Sequence, residues 1–273
     1  MALRLALYLL VGYAAVVALA YFFQRQLLYY PDQEKVSEAR IRAMGLRYWP
    51  SPNNEYKGFI SKTTSSTAKG LVIVFHGNAG AAWNRIYYVE ALGRLGYRVL
   101  LAEYPGYGGR KGKLGEKSFV KDARETVKAA YSEFRGPVYL WGESLGCGVV
   151  AAVAASPPVP ISGIIMLTPW DSLPHLAQSI YWYLPVRWLI RDKYDNVANL
   201  KSFHGPVAVL VASQDEIIPK KLGLRLYEAL PGPKKLWVFE HSGHNDWPTA
   251  PNETWWRKVM EFVSEGHDLY KFH

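Results

Sequence analysis

The sequence predicts an α/β fold in which a mostly parallel central sheet carries helices on both faces, preceded by one transmembrane helix. Short apolar runs rich in β-branched residues alternate with longer helical patterns, as in βαβ units. Most of the short runs lack alternation of apolar and polar residues, as expected for strands covered on both faces. A long uncharged run near the N-terminus predicts the transmembrane helix.

The uncharged run extends over 19 residues, from Leu5 to Phe23. As a helix with a rise of about 1.5 Å per residue it would be about 28 Å long, close to the hydrocarbon thickness of a bilayer. Arg4 precedes the run and Gln24-Arg25-Gln26 follows it, with aromatic residues at the end where an interfacial belt is expected. Because the segment is apolar on all sides, a buried helix of a soluble domain is disfavoured. We therefore predict a single-pass membrane anchor over residues 1–24.

A removable signal peptide is the alternative interpretation of this segment. Ala18-Leu19-Ala20 has the small-x-small pattern of a cleavage site. The apolar run nevertheless continues past this tripeptide and is longer than an ordinary signal-peptide core, which favours an uncleaved anchor. The basic residues on the two flanks nearly balance, so the charge pattern favours neither orientation in the membrane.

Composition excludes several classes of protein. The 273 residues include 39 aromatic side chains and 49% hydrophobic residues, which excludes intrinsic disorder. Cys147 is the only cysteine, which excludes a disulfide scaffold and thiolate metal cages. No histidine pair has the H-E-x-x-H spacing of zinc hydrolases. We predict neither a metal nor another cofactor.

The net charge of +9 is confined to the N-terminal part of the chain. Residues 1–113 contain 15 Lys/Arg and 6 Asp/Glu, whereas residues 114–273 contain 17 of each. The densest basic patch, Arg110-Lys111-Gly112-Lys113, is short, and no zinc-finger or RNP signature accompanies it. The charge therefore fits attraction to anionic lipid headgroups, and we predict no binding to nucleic acid. The sequence points to no particular oligomeric state.

The folded domain is predicted over residues 56–265, between a juxtamembrane connector over 25–55 and a C-terminal tail over 266–273. A polar, charged stretch from Asp32 to Arg47 indicates the connector. The predicted strands are Tyr56–Ile60, Leu71–Phe75, Arg98–Ala102, Pro137–Trp141, Gly163–Leu167, Pro206–Ala212 and Lys235–Phe239. The predicted helices are Trp83–Leu95, Glu116–Phe134, Leu145–Ala155, Leu222–Leu230 and Glu253–Val263.

A long insertion, predicted over residues 169–204, interrupts the alternation of strands and helices. It is rich in large apolar side chains, and such an insertion is either an additional helical cover of the sheet or a lid over a site. We expect Trp170, Trp182 and Trp188 to contact an acyl substrate in a pocket that opens toward the lipid surface. The alternative is that these aromatic side chains pack on the sheet as ordinary core.

Gly142-Glu143-Ser144-Leu145-Gly146 is a G-x-S-x-G motif between a predicted strand and a helix of small residues. In that context a sharp turn presents the Ser144 hydroxyl above the sheet, and it leaves no room for side chains at either flanking glycine. The N-terminus of the helix then directs free N–H groups toward any oxyanion that forms there. The alternative is a glycine-rich turn with an inert N-cap serine. We predict that Ser144 is a nucleophile.

Acyl transfer requires two N–H donors for the developing oxyanion, one after the nucleophile and one in the loop after another strand. Leu145 would supply the first donor. Asn78 would supply the second, within Phe75-His76-Gly77-Asn78-Ala79-Gly80, which follows the strand Leu71–Phe75 directly. In this loop His76 is assigned a structural role.

A serine nucleophile needs a base, and His244 is the predicted base. Of the seven histidines only His241 and His244 directly follow the last predicted strand, at the sheet edge where Ser144 emerges. Gly243 and Asn245 flank His244 and give a loop able to present its ring. His241 adjoins the strand end and is assigned a supporting position.

The base in turn needs an orienting carboxylate, and Asp215 is the predicted acid. It follows the strand before the last one. Three other carboxylates are alternative candidates for the acid. Glu216 lies next to Asp215, Asp171 follows another strand, and Asp246 lies beside the predicted base. The chain order of nucleophile, acid and base is the order expected when each residue follows a different strand of one sheet.

Together these residues resemble the α/β-hydrolase superfamily from about Tyr56 to Val263. The resemblance rests on His76-Gly77-Asn78-Ala79-Gly80, Glu103-Tyr104-Pro105-Gly106-Tyr107-Gly108, Gly142-Glu143-Ser144-Leu145-Gly146, Asp215-Glu216-Ile217-Ile218-Pro219 and Gly243-His244-Asn245-Asp246. With the anchor and the following Gln24-Arg25-Gln26-Leu27-Leu28-Tyr29-Tyr30-Pro31, the chain is similar to single-pass hydrolase-domain proteins that are often labelled serine-aminopeptidase-like. The loop at Trp170-Asp171, after the sixth core strand, departs mildly from this group.

This resemblance implies an eight-stranded sheet and serine-based hydrolysis of esters or thioesters without a cofactor. The expected partners are a small or lipid-like acyl substrate and membrane lipid. The known substrates of the group include lipids and acylated proteins, and the label does not select one for this chain. The alternative function is a catalytically silent hydrolase fold that serves as a membrane scaffold or binding protein.

Overall fold

The computed structural model describes residues 1–51, 56–62 and 68–268, of which 266–268 are described by their backbone only. Its centre is an eight-stranded sheet of order β10-β9-β8-β7-β4-β6-β3-β2, and β1 and β5 form a separate two-stranded sheet. The strands are β1 (Tyr30–Pro31), β2 (Leu46–Trp49), β3 (Gly58–Ser61), β4 (Leu71–Phe75), β5 (Ala79–Gly80), β6 (Arg98–Ala102), β7 (Val138–Glu143), β8 (Gly163–Leu167), β9 (Val207–Ala212) and β10 (Lys234–Phe239). Near one edge of this sheet β3 pairs antiparallel with both β2 and β6, and the other neighbouring strands pair parallel.

Helices cover both faces of the large sheet. They are α1 (Ala2–Leu28), α2 (Glu38–Ala43), α3 (Ile86–Arg94), α4 (Glu116–Phe134), α5 (Leu145–Ala154), α6 (Leu173–Ile180), α7 (Val186–Leu189), α8 (Asn196–Leu200), α9 (Lys220–Ala229) and α10 (Thr254–Asp268), and a 3₁₀ turn, Ala82–Arg85, precedes α3. One core cluster packs α4, α5 and α9 on the sheet, and a second packs α3 and α10 on the other face. Because both faces are covered, every residue of β4, β7, β8 and β9 is buried. The predicted fold class is therefore confirmed.

The predicted strands and helices of the domain agree with the structure to within a few residues. The strands Leu71–Phe75, Arg98–Ala102 and Gly163–Leu167 and the helix Glu116–Phe134 have the predicted bounds. The strand after the predicted connector begins at Gly58 rather than at Tyr56. Long buried strands and an amphipathic helix carry strong periodic signals, which explains this agreement.

The stretch from 25 to 55, predicted as a connector, contains parts of the folded domain. β1 pairs with β5 in the loop after β4, and β2 pairs with β3 as the edge strand of the large sheet. The folded domain therefore begins well before residue 56. Residues 52–55 of this stretch, and 269–273 of the predicted tail, lie outside the described residues. Residues 266–268 of the tail belong to α10.

α1 is long and apolar enough to cross a membrane. It has 27 residues, none of them fully buried, and a mean hydropathy of 2.2 over its most apolar window. The predicted insertion after β8 contains the three short helices α6, α7 and α8. The C-terminal part of α1 lies against this insertion, and both lie at the edge of the sheet where the candidate site is found.

Candidate active site

Ser144 lies at the sharp turn between β7 and α5. Its backbone adopts φ 50° and ψ −113°, a conformation that residues with a side chain rarely adopt. A Cβ atom added at Gly146 would lie 1.9 Å from the carbonyl oxygen of Phe75, and one added at Gly142 would lie 2.6 Å from the Cα of Cys147. The turn thus requires glycine on both sides of Ser144, and its hydroxyl emerges at the N-terminus of α5.

The structure brings the predicted base and acid to Ser144. Nε2 of His244 lies 3.1 Å from Oγ of Ser144, and Nδ1 of His244 lies 2.8 Å from Oδ2 of Asp215. The other carboxylate oxygen of Asp215 accepts hydrogen bonds from the backbone N–H groups of Ile217 and Ile218, at 2.9 and 2.7 Å. The Asp215 side chain is 2% exposed. A continuous hydrogen-bonded path therefore runs from a fixed carboxylate to the serine hydroxyl.

The rival carboxylates have other partners. Asp171 lies 2.9 Å from Nδ1 of His175 and accepts a hydrogen bond from the N–H group of Ser172. Glu216 accepts a hydrogen bond from the backbone N–H group of His244, at 3.1 Å. Asp246 accepts one from the N–H group of Gly243, at 2.5 Å. Glu216 and Asp246 therefore hold the loop that carries the histidine without contacting its ring nitrogens.

The loop after β4 lies beside Ser144, and Asn78 in this loop lines the same cavity as Leu145. The Asn78 side chain donates a hydrogen bond to the carbonyl oxygen of Leu28, at 2.8 Å, and the Tyr107 hydroxyl donates one to the Asn78 carbonyl oxygen, at 2.7 Å. These bonds fix the position of the loop beside Ser144. Leu145, the first residue of α5, has an N–H group without an acceptor within the helix.

His76 is buried below this loop. Its Nε2 lies 2.9 Å from Oε1 of Glu103, and its Nδ1 lies 2.8 Å from the carbonyl oxygen of Gly77. Glu103 also accepts a hydrogen bond from the backbone N–H group of Ala82. The pair ties the loop after β4 to the end of β6, as the structural assignment of His76 anticipated.

An ion pair next to the nucleophile, between the buried Glu143 and the partly buried Arg85, was not predicted. Glu143 lies 3.0 Å from the Arg85 guanidinium, and its other oxygen accepts hydrogen bonds from the hydroxyls of Tyr87 and Tyr88, at 2.9 and 3.0 Å. Burial alone would raise the pKa of Glu143, but Arg85 and the two hydroxyls outweigh it and hold the pKa of this carboxyl below its ordinary value. These contacts of Glu143 stabilise the turn that carries Ser144.

The site opens into an elongated cavity of about 450 Å³ that is mainly apolar. Ser144, His244, Asn78 and Leu145 line one end of it, together with Trp170. Most of the remaining lining comes from α1 and from the insertion, and Arg85, Glu143, Ile217, Ile218 and Asn245 also contribute. The insertion contributes Leu173, Leu176, Ala177, Ile180, Tyr181, Leu184, Pro185, Val186, Leu189, Ile190 and Asp192.

The prediction for Trp182 and Trp188 is corrected by the structure. Both side chains lie outside the cavity lining, and they are 78% and 79% exposed. They therefore neither contact a substrate in this cavity nor pack on the sheet. The reason is directional: successive residues of a helix or turn face different sides, so Leu189 lines the cavity while Trp188 points away from it. Trp170 does line the cavity, and its indole N–H donates to the carbonyl oxygen of Tyr194, at 3.4 Å.

Over the described ranges no group of three or more His, Cys, Asp or Glu side chains could hold a metal ion. The functional groups around Ser144 are a hydroxyl, an imidazole, a carboxylate and backbone N–H groups. This set can carry out acyl transfer through a covalent intermediate.

Comparison with known proteins identifies related sequences. The family model described as serine aminopeptidase, S33, matches residues 66–191. An uncharacterized protein of Mycobacterium tuberculosis, Rv2307c, is 30% identical over 258 residues, which cover 92% of this chain and 91% of that protein. The lysophosphatidylserine lipase ABHD12 of Macaca fascicularis is 30% identical over 183 residues, covering 59% of this chain and 46% of the lipase. The matched region thus spans slightly less than half of that lipase.

Solved structures share the same architecture. The esterase Pf2001 of Pyrococcus furiosus matches with a TM-score of 0.66 and 17% identity, over 87% of this chain and 97% of the esterase. A monoacylglycerol lipase of Paleococcus ferrophilus matches with a TM-score of 0.54 and 22% identity, over 73% of this chain and 96% of the lipase. At these identities the similarity concerns the fold. With the family match and a relative similar over nearly its full length, the chain belongs to the α/β-hydrolase superfamily.

Proposed function

We propose that this protein is a serine hydrolase that cleaves carboxylic ester or thioester bonds. The observation that carries the proposal is the hydrogen-bonded path from Asp215 through His244 to Ser144, with steps of 2.8 and 3.1 Å. It ends at a hydroxyl in an apolar cavity. A serine hydroxyl is a weak nucleophile on its own, and an adjacent base of this kind activates it.

In the proposed reaction His244 takes the proton of the Ser144 hydroxyl while the serine oxygen attacks the carbonyl carbon of the substrate. The N–H groups of Asn78 and Leu145 donate hydrogen bonds to the oxyanion of the tetrahedral intermediate. The intermediate expels the alcohol or thiol, which receives its proton from His244, and an acyl-serine ester remains. A water molecule then attacks this ester by the same route, which releases the carboxylic acid and restores the serine.

Asp215 holds the imidazole in the tautomer that has its proton on Nδ1 and stabilises the imidazolium that forms. The carboxylate itself is held by two backbone N–H groups and is almost fully buried. No cofactor takes part in the proposed reaction.

We further propose that α1 anchors the enzyme in a membrane. At about 1.5 Å per residue its 27 residues measure about 40 Å, enough to cross the hydrocarbon core with some tilt. The substrate class that fits is an ester or thioester with an apolar acyl group, because the cavity next to Ser144 is lined mainly by aliphatic side chains. The names of the related proteins, a lysophosphatidylserine lipase, an esterase and a monoacylglycerol lipase, agree with this class.

The test is an ester screen with the full chain in detergent. We expect the wild-type protein to hydrolyse p-nitrophenyl esters of graded acyl length, and Ser144→Ala to lower kcat by about 10³-fold or more. A wild-type protein that cleaves none of these esters would favour the silent scaffold. Undiminished turnover by Ser144→Ala would contradict the assignment of the nucleophile.

A further inference from the structure

The anchor helix α1 and the insertion are fixed to each other by polar contacts. Arg25 makes a paired contact with the buried Asp192, with nitrogen–oxygen distances of 3.1 and 3.2 Å. Oε1 of Gln24 accepts a hydrogen bond from the backbone N–H group of Arg191, at 2.6 Å. Farther along α1, the Tyr13 hydroxyl donates a hydrogen bond to the carbonyl oxygen of Tyr183, at 3.1 Å. The insertion therefore follows α1 over about three helical turns.

The cavity that begins at Ser144 lies between these two elements. α1 contributes Val17, Ala20, Tyr21, Gln24, Arg25, Leu27 and Leu28 to its walls. From Leu28, whose carbonyl oxygen meets the Asn78 side chain, to Val17 the helix rises about 16 Å. This is close to half of the roughly 30 Å hydrocarbon thickness of a bilayer, which is the depth of one leaflet. The cavity wall therefore matches a long acyl chain in length.

The position of the contacts on α1 sets the depth of the insertion. The uncharged run from Leu5 to Phe23 must lie in the hydrocarbon as a whole, because its length of about 28 Å only just spans the bilayer. Tyr13 lies near the middle of this run, about 15 Å from Phe23. Because the carbonyl oxygen of Tyr183 bonds to Tyr13, the turn of the insertion around Tyr183 reaches the same depth.

The composition of the insertion agrees with this depth. From Leu176 to Val186 it contains no charged residue, and its outer side exposes Ile180, Trp182 and Tyr183. Three charged residues, Arg187, Arg191 and Asp192, follow this stretch. The last two contact Gln24 and Arg25, which lie beyond the uncharged run of α1. Large apolar side chains exposed side by side are typical of a surface that contacts another molecule. Because this surface is continuous with α1, the lipid bilayer is the molecule that fits it.

We propose that the insertion enters the membrane leaflet beside α1, and that the acyl chain of a membrane lipid binds between α1 and the insertion with its ester or thioester group at Ser144. The anchor helix is then a wall of the substrate site as well as a tether. Both parts of this inference rest on the proposed function: the cleavage step rests on serine hydrolysis, and the membrane contact rests on the anchoring of α1 in a membrane. The substrate class is a lipid with a long acyl chain, taken from the leaflet itself.

A matched pair of substitutions in α1 tests the acyl site. Ala20 lines the cavity, whereas Ala18, two residues earlier and about 200° around the helix, is exposed on the other side. We expect Ala20→Trp to lower the ratio of kcat/KM for p-nitrophenyl dodecanoate to that for the acetate at least tenfold. Ala18→Trp adds the same side chain outside the cavity and should leave this ratio within twofold of wild type. Equal ratios for the two variants would overturn the proposal.

The proposed function fails in a different way, so the two outcomes can be told apart. If no serine hydrolysis occurs, the wild-type protein cleaves neither ester, or Ser144→Ala cleaves both. If only the acyl site is assigned wrongly, wild-type cleavage depends on Ser144 but does not respond to the side chain at position 20.

The membrane contact is tested by depth-dependent quenching. Burial raises the pKa of the Cys147 thiol well above its ordinary value, so this residue should not react with a thiol-directed dye. Trp182→Cys and Trp188→Cys, each labelled with an environment-sensitive dye, are reconstituted in phosphatidylcholine vesicles that contain spin-labelled lipids. We expect spin labels within the acyl chains to quench the dye at position 182. Lys258→Cys, exposed on α10, is the control, and equal quenching at 182, 188 and 258 would contradict the proposal.

Discussion

Asp215→Asn changes only the charge and one donor group of the proposed acid, and the structure predicts its effect. One oxygen of Asp215 accepts hydrogen bonds from the N–H groups of Ile217 and Ile218. In the variant the amide oxygen should keep these two bonds, since the amide NH₂ group cannot accept them. The NH₂ group then faces Nδ1 of His244, where the carboxylate lies at 2.8 Å in the wild type.

With a donor opposite Nδ1, the histidine proton moves to Nε2, which faces the Ser144 hydroxyl at 3.1 Å. In that tautomer the imidazole cannot accept the serine proton. We expect kcat/KM for p-nitrophenyl butyrate to fall on the order of 10⁴-fold, or about 5.5 kcal/mol of transition-state stabilisation. The melting temperature should change little, because the variant preserves the shape and the two backbone hydrogen bonds of the side chain.

Two further carboxylates serve as controls for this prediction. Asp171→Asn should have little effect on kcat/KM, because Asp171 contacts His175 rather than His244. Glu216→Gln should cost less than Asp215→Asn, since Glu216 bonds only to the backbone of the histidine loop. Activity of Asp215→Asn within tenfold of wild type, with either control far less active, would refute this assignment of the acid.

Two other predictions concern the base and the buried ion pair beside the nucleophile. His244→Ala should lower kcat for ester hydrolysis about as much as Ser144→Ala does. The double variant should lose little more, because the two residues act as a unit. A loss in the double variant equal to the sum of the two single losses in transition-state free energy would contradict this prediction. Glu143→Gln should destabilise the fold at pH 7 by about 3 kcal/mol, because it leaves the partly buried Arg85 without a charged partner. The folded pKa of Glu143 is lowered, so its stabilisation is present above the unfolded pKa of about 4.3 and is lost as the pH falls through the folded pKa. Thermal unfolding should therefore show a difference between wild type and Glu143→Gln that shrinks below about pH 4, and a constant difference would contradict this sign.

Much of the fold could be predicted because its signals are local. Strands covered on both faces are continuous apolar runs, so β4, β6 and β8 have the predicted bounds. The turn at Ser144 requires glycine at two fixed positions, and the motif shows both. Residues that follow neighbouring parallel strands meet at one sheet edge, which explains why Asp215 and His244 meet at Ser144.

The missed features depend on tertiary contacts. β2 is a four-residue edge strand that contains Arg47, and it forms because β3 lies beside it rather than because of its own pattern. Glu143 pairs with Arg85, which lies in a turn 58 residues earlier in the chain. No spacing rule in the sequence indicates this pairing. The directions of Trp182 and Trp188 in the predicted insertion depend on how α6 and α7 lie against α1.

Labelling with a fluorophosphonate probe tests the central claim, that Ser144 is an activated nucleophile, most directly. The full chain in detergent is treated with the probe and digested, and the modified peptide is identified by mass spectrometry. We expect one adduct per chain, on Ser144, and we expect it to be lost in Ser144→Ala and strongly slowed in His244→Ala. An adduct on another residue, or undiminished labelling of Ser144→Ala, would contradict the account.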